Sequence, residues 1–178
     1  MAATVLIRRL TGAGPTATDI TSSNTRASTS DAPTPGTADP IPVPGAGSNY
    51  SYWVTTRLDA TVTPDGTINN LQWYSDGANS LGTGVTAIAQ DASSYVQATG
   101  TQGTSGTQLT TGNHGGLSGA PADMFSFTSG SPKSVTGSIS NPSTGQFGDR
   151  MVYQIVVGTT AGPGTTTAET LTWSYDET

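Results

Sequence analysis

Few residues in this chain are equipped for chemistry. His114, in the stretch GNHGG, is the only histidine, and cysteine is absent. A serine nucleophile would have to recruit His114 as its base, yet no G-x-S-x-G turn presents a serine. One imidazole and no thiol rule out a multi-histidine metal site, a two-histidine acid-base pair, thiolate ligation and disulfides. His114 therefore reads as a solvated loop histidine. The twelve carboxylates are ten aspartates and two glutamates. A glycosidase needs two of them facing across a cleft. Most of the aspartates stand beside Gly, Pro or Ala, where a short carboxylate hydrogen-bonds its own backbone. Asp65, Asp76, Asp91 and Asp123 fall in expected loops and could offer oxygens to calcium, but no D-x-D-x-D spacing occurs. The Gly-rich stretches lack the lysine and following helix of a phosphate loop. No catalytic residue, cofactor or metal ligand is assigned, and the chain reads as a non-enzyme.

The aromatic residues are the other candidates. Trp53, Trp73 and Trp173, with six tyrosines, could line a sugar-binding platform. Trp73 shares a strand face with Leu71, and Trp173 with Leu171, which favours core packing for both. Trp53 alternates with Ser51, Thr55 and Arg57 instead, so it is expected to face outward and serve as a contact surface.

The elements that position these residues follow from composition. Charged residues are 10 % of the chain and hydrophobic ones 33 %, while Thr, Ser and Gly abound. Such a chain cannot build helices with charged outer faces, and an all-β fold is favoured. The net charge is −6 and the few cations are scattered, apart from the Arg8-Arg9 pair, so no footprint for nucleic acid exists. The N-terminal MAATVLIRRL has its arginines after a short apolar run, which does not read as a secretory signal, and no stretch has the length of a membrane span.

Residues 4–10, TVLIRRL, read as a strand, with a weak second one near 18–25. Residues 26–47 hold almost no large apolar side chain except Ile41 and Val43, and PTPGTADPIPVPGAG (33–47) carries five prolines. Proline fixes φ and removes a donor, so this run favours an extended path of about 3.1 Å per residue. From residue 50 the texture changes. YSYWVTTRLDATV alternates as one long strand, Pro64-Asp65-Gly66 makes a turn, and INNLQWYS returns. VTAIAQ and SYVQA are expected as strands around a turn at Asp91-Ala92, and residues 99–122 as a long exposed loop. MFSFT, KSVTGSIS, RMVYQIVVGTT and ETLTWSYDE complete about eight strands. The expected architecture is an antiparallel β-sandwich or jelly-roll-like body over residues 49–178, preceded by an extended proline-rich N-terminal arm over residues 1–48.

At NLQWYSDG (70–77) and GTTTAETLTWSYDET (164–178) the chain resembles short virion proteins of tailed double-stranded DNA bacteriophages. In that family a β-sandwich carries a W/F-x-S-D-G-like turn and closes with a T-L-T-[WF]-S-Y-D-E strand, and the similarity spans residues 50–178. The resemblance implies a head decoration (cement) protein on the capsid surface, assembled in the host cytoplasm. Its implied partners are the major capsid protein and copies of itself, as a trimer, with neither nucleic acid nor membrane involved. The residues assigned to contacts are Val5, Leu6, Ile7 and Leu10, as a strand added to a neighbour's sheet, Ile41 and Val43 in the tether, and Trp53. Folding of the arm onto its own body is the alternative. A carbohydrate-binding or adhesin module, or a tail or neck component of the same virion, are the competing readings. On this view removal of residues 1–47 should leave a folded sandwich.

Overall fold

Val54, Leu58 and Ala60 alternate with Arg57, Asp59 and Thr61, and the strand they form buries the first set almost completely. The computed structural model describes residues 2–23 and 25–178. Among them run β1 (Thr4–Thr11), β2 (Thr16–Asp19), β3 (Ser48–Tyr50), β4 (Val54–Val62), β5 (Thr67–Ser75), β6 (Val85–Ala92) and β7 (Gly100–Thr101). These are followed by β8 (Ser105–Gly106), β9 (Ala122–Asp123), β10 (Lys133–Ser134), β11 (Ile139–Ser140), β12 (Gly145–Gly158) and β13 (Leu171–Glu177).

The protein is all-β, with two antiparallel sheets packed as a β-sandwich. The larger sheet has the order β2-β1-β4-β12-β6-β9, and β3 pairs with the far end of β12. In the smaller sheet β5 is central. Trp73 lies opposite both Lys133 of β10 and Trp173 of β13, so these two strands flank β5 on opposite edges, and β11 continues the β10 edge. Val54, Leu58, Ala89, Met151 and Tyr153 of the large sheet meet Ile68, Leu71 and Trp73 of the small one. Trp73 stacks on Tyr153 with centroids 6.5 Å apart.

A second core lies on the other face of the large sheet. Residues 93–121 fold over that face, and their Ala98 and Leu109 pack with Tyr52, Trp53, Ala92 and Val152. Met151, Val152, Tyr153 and Gln154 are therefore all buried, since β12 is covered from both sides. The stretch expected as an exposed loop is this second cover. Within it SYVQA is not a strand, and Asp91-Ala92 ends β6 rather than forming a turn.

Three other expectations change in detail. The long strand from residue 50 is broken at residues 51–53, which belong to no strand: Ser51 N–H still donates to Ile155 O of β12 (2.9 Å), but Tyr52 N–H turns to Ser28 O (2.8 Å). MFSFT holds a 3-10 turn, Met124–Ser126, started by the Asp123 side chain accepting from Phe125 N–H. KSVTGSIS divides into β10 and β11 around Gly137, whose φ is +134° and whose absent Cβ would stand 2.2 Å from the Cα of Gly148. Two backbones can approach that closely only without side chains.

The N-terminal segment lies on the chain's own body. β1 pairs with β4 from Thr4↔Val62 to Leu10↔Thr55, and β2 covers its other edge. Val5 and Ile7 pack on the main core, Leu6 is half-buried and Leu10 is 5 % exposed. These four residues thus belong to the protein's own sheet instead of reaching for a neighbour's. The proline-rich run returns along the same body. Thr29 N–H donates to Asp39 O (2.9 Å) and the Asn49 side chain to Pro42 O (2.8 Å). Sheet hydrogen bonds therefore cross the 48/49 boundary expected between arm and body.

Because β1 is interior to the sheet, deleting residues 1–47 exposes the whole β4 edge and uncovers Val5 and Ile7's share of the core. The truncated chain is expected to lose its cooperative thermal transition and its near-UV circular dichroism. A truncated protein that kept both would show that β1 is dispensable.

Candidate functional site

Buried polar residues distinguish this molecule more than any surface cluster does. Arg8 and Arg9 are adjacent on a strand, so their side chains must leave opposite faces of the sheet. Arg8 reaches Asp59 on the neighbouring strand, Nε to Oδ2 2.7 Å. Arg9 is only 1 % exposed. It holds the start of the proline-rich segment, donating from Nη1 to Thr25 Oγ1 (2.5 Å), Arg26 O (2.9 Å) and Pro33 O (3.4 Å). Burial lowers the Arg9 pKa, while the fields of Tyr153 and Asp31 act the other way. Burial also raises the Tyr153 phenol, with Arg9 opposing. Sequence reasoning missed this group. The signal was present in the doubled arginine inside an apolar strand, one of which had to turn inward.

Gln154 organises the second core. Its Nε2 donates to Ser51 O (2.7 Å) and Thr107 O (2.8 Å), and its Oε1 accepts from Leu109 N–H (2.7 Å). Trp53 Nε1 donates to Val96 O at 3.0 Å. Trp53 itself is 4 % exposed, so the outward contact surface expected of it is not there. Its ring meets His114 edge-on, with centroids 5.5 Å apart. His114 is fully buried, not solvated, and neither ring nitrogen has a hydrogen-bond partner among the described residues. Burial lowers its pKa, the nearness of its own backbone acts in the opposite sense, and Arg150 adds to the lowering.

The carboxylates are placed as caps and ties. Asp76 accepts from Ala78 N–H, Asp123 from Phe125 N–H and Glu169 from Ser80 N–H (2.6 Å). Glu177 accepts from the backbone N–H groups of Ala3 and Asp65. Among the described residues no three of His, Asp or Glu gather as a cation site. Asp91 is buried in β6, where it pairs with Lys133 (2.8 Å) and accepts a hydrogen bond from Ser118 Oγ. Asp149 is raised by burial and then by Asp91, against the pull of Arg150 and Arg57.

One cleft of about 480 Å³ opens between residues 36–43, residues 161–169 and the inner face of β12. Ile41 and Val43 line it together with Val85, Tyr153, Ile155 and Leu171. A second cleft, of about 350 Å³, lies beside it against Ile7, Trp73 and Trp173. Glu169 is the only carboxylate on either lining, so neither brings two together. Ile41 packs on the core, whereas Val43 is 40 % exposed and is the one large apolar side chain described as exposed. Of the seven residues assigned to contacts, only Ile41 and Val43 are brought together in one cleft, and Val43 is the most exposed of the seven.

Two outcomes test the second core. Replacing Gln154 by Met keeps the volume but leaves two carbonyls and one N–H unpaired. It should cost on the order of 3 kcal/mol in urea unfolding, from about 1–3 kcal/mol per orphaned buried group. A change below a tenth of that would show that water satisfies the groups. For His114 the folded pKa lies below the unfolded value, so between the two the unfolded chain binds more protons and stability rises with pH. Stability should be full above about pH 6.5 and fall as pH drops below it. A His114→Leu variant should show a flatter urea midpoint across that window, and an unchanged slope would remove His114 as its source.

No protein-family model, curated protein or solved structure matches this chain.

Proposed function

We propose that this chain is a structural virion protein of a tailed bacteriophage, a capsid decoration (cement) protein that binds the head lattice and stabilises it through contacts among its own copies, as a trimer, and with the major capsid protein. One observation carries the reading. The two segments that bear the resemblance are partners in space, since NLQWYSDG supplies most of β5 and LTWSYDE is β13, with Trp73 directly opposite Trp173. Motifs a hundred residues apart that form one ladder make one structural unit, which supports reading the two segments together.

The contact surface is Val43, set between Pro42 and Pro44 beside the cleft that Ile41 also lines. A proline-flanked apolar side chain is already held in an extended conformation, so docking it costs little further entropy. Many copies on a lattice then add such weak contacts through effective concentration. The carbohydrate-binding alternative loses its main support, because Trp53 lies beneath residues 93–121.

Imaging of intact particles tests the proposal. Density for this chain on the head lattice is the expected result, density on the tail or neck would move it there, and its absence from particles would end the virion reading. In a binding assay on undecorated heads, Val43→Asp should lower occupancy at least tenfold while shifting stability by no more than about 0.5 kcal/mol, as exposed substitutions do. Unchanged occupancy would remove Val43 from the interface.

A further inference from the structure

Lys133 is the only lysine in the chain, the other five cations being arginines. For a plain ion pair the guanidinium is the better partner, because it can grip a carboxylate with two N–H groups at once. What an amine can do and a guanidinium cannot is act as a nucleophile once neutral. The one amine side chain stands at a particular place. Lys133 belongs to β10 of the small sheet, opposite Trp73, and Asp91 to β6 of the large sheet, opposite Met151. Nζ is 2.8 Å from Asp91 Oδ1, and the two side chains are 23 % and 8 % exposed. Among the described residues this is the only ion pair that joins the two sheets.

The surroundings of the carboxyl are arranged unevenly. Ser118 Oγ donates to Oδ1, the same oxygen that faces the amine. That hydroxyl is placed where negative charge would gather if the amine added to Cγ. Asp149, whose carboxyl feels the charge of Asp91 and is raised mainly by burial, supplies a second group able to hold a proton.

We propose that Lys133 and Asp91 close into a side-chain amide, a covalent tie between the two sheets. The step starts from the neutral pair, reached when one proton passes from the ammonium to the carboxylate across their 2.8 Å contact. The Nζ lone pair then attacks Cγ and forms the N–C bond, and the oxyanion that develops on Oδ1 is met by the Ser118 hydroxyl. The Cγ–Oδ2 bond breaks, and Oδ2 departs as water with the carboxyl proton and one proton from Nζ. Nothing is oxidised or reduced, and no co-reactant is consumed. Proximity supplies the driving geometry, because the folded sandwich holds the two groups in contact.

The test is the mass of the full-length protein under denaturing conditions, followed by trypsin digestion. The wild-type chain is expected to be one water lighter than its sequence, after allowance for the initiator methionine, and to resist cleavage after Lys133. Lys133→Arg keeps the charge but cannot make the amide, so it should return to full mass. Dehydration at Asp65-Gly66 or Asp76-Gly77 needs no lysine and would persist in that variant. A wild-type protein at full mass and cut after Lys133, or a Lys133→Arg chain equally light, overturns the proposal. The wild-type mass decides the question whether or not the variant folds.

Discussion

The burial of β12 on both faces is the constraint from which the rest of the structure follows. A strand with Met151 and Tyr153 on one side and Val152 and Gln154 on the other needs two covers. The small sheet supplies one, through Trp73 and Leu71, and residues 93–121 supply the other, through Leu109 and the Trp53–His114 contact. Apolar burial of this kind contributes about 25 cal/mol per Å² of surface removed from water. Each cover also has to satisfy the polar groups it encloses. Gln154 does so for the second cover, since its three hydrogen bonds reach the backbone at Ser51, Thr107 and Leu109 together.

Arg9 plays the corresponding part on the other side of the sheet. Its strand runs between β2 and β4, and its guanidinium faces three acceptors from residues 25–33, so the proline-rich segment begins clasped to the sheet. A run with few donors of its own and little apolar area cannot order itself by burial. A buried donor fork gives that run's oxygens something to accept from, and Nη1 is in turn paired with neutral oxygens, while Nε has no partner among the described residues. This reciprocity explains why a segment with the composition of a free tether lies on the body instead.

The sandwich itself was legible, because its half-buried strands carry period-two patterns. β4, β5 and β13 show apolar residues on one face and polar ones on the other. The second layer was not legible, for the same reason. Residues 99–122 hold only Leu109 and Leu117 as large aliphatic anchors, and their order comes from hydrogen bonds to β12 and β6 that no local pattern records. Trp53 stands on the face that alternation assigns to it, opposite Val54 and Leu58, and it is buried because residues 93–121 cover that face; the break at residues 51–53 instead brings Tyr52 to the same side. His114 has no neighbours in sequence that signal burial, since Gly and Asn surround it and the aromatic partner is sixty-one residues away. Of the contact residues, Val43 stands where an exposed role is possible, and its signal was local: an apolar side chain between two prolines.

The way charge is used joins these points. With so few charged groups, most of the described carboxylates are occupied by backbone N–H groups or hydroxyls at turns and strand ends, as at Asp76, Asp123, Glu169 and Glu177. What remains on the surface is rich in hydroxyl and backbone groups. Those carboxylates keep their charge, so the chain retains a net −6 that salt screens beyond about 8 Å, and its few scattered cations offer no patch to steer a partner. Crowding many copies side by side carries a like-charge cost that the contacts must offset, and selectivity has to come from shape and from isolated apolar points. The decoration role proposed for this chain asks for that combination, and it places the discriminating contact at the extended Pro42-Val43-Pro44 segment and not at a charged patch.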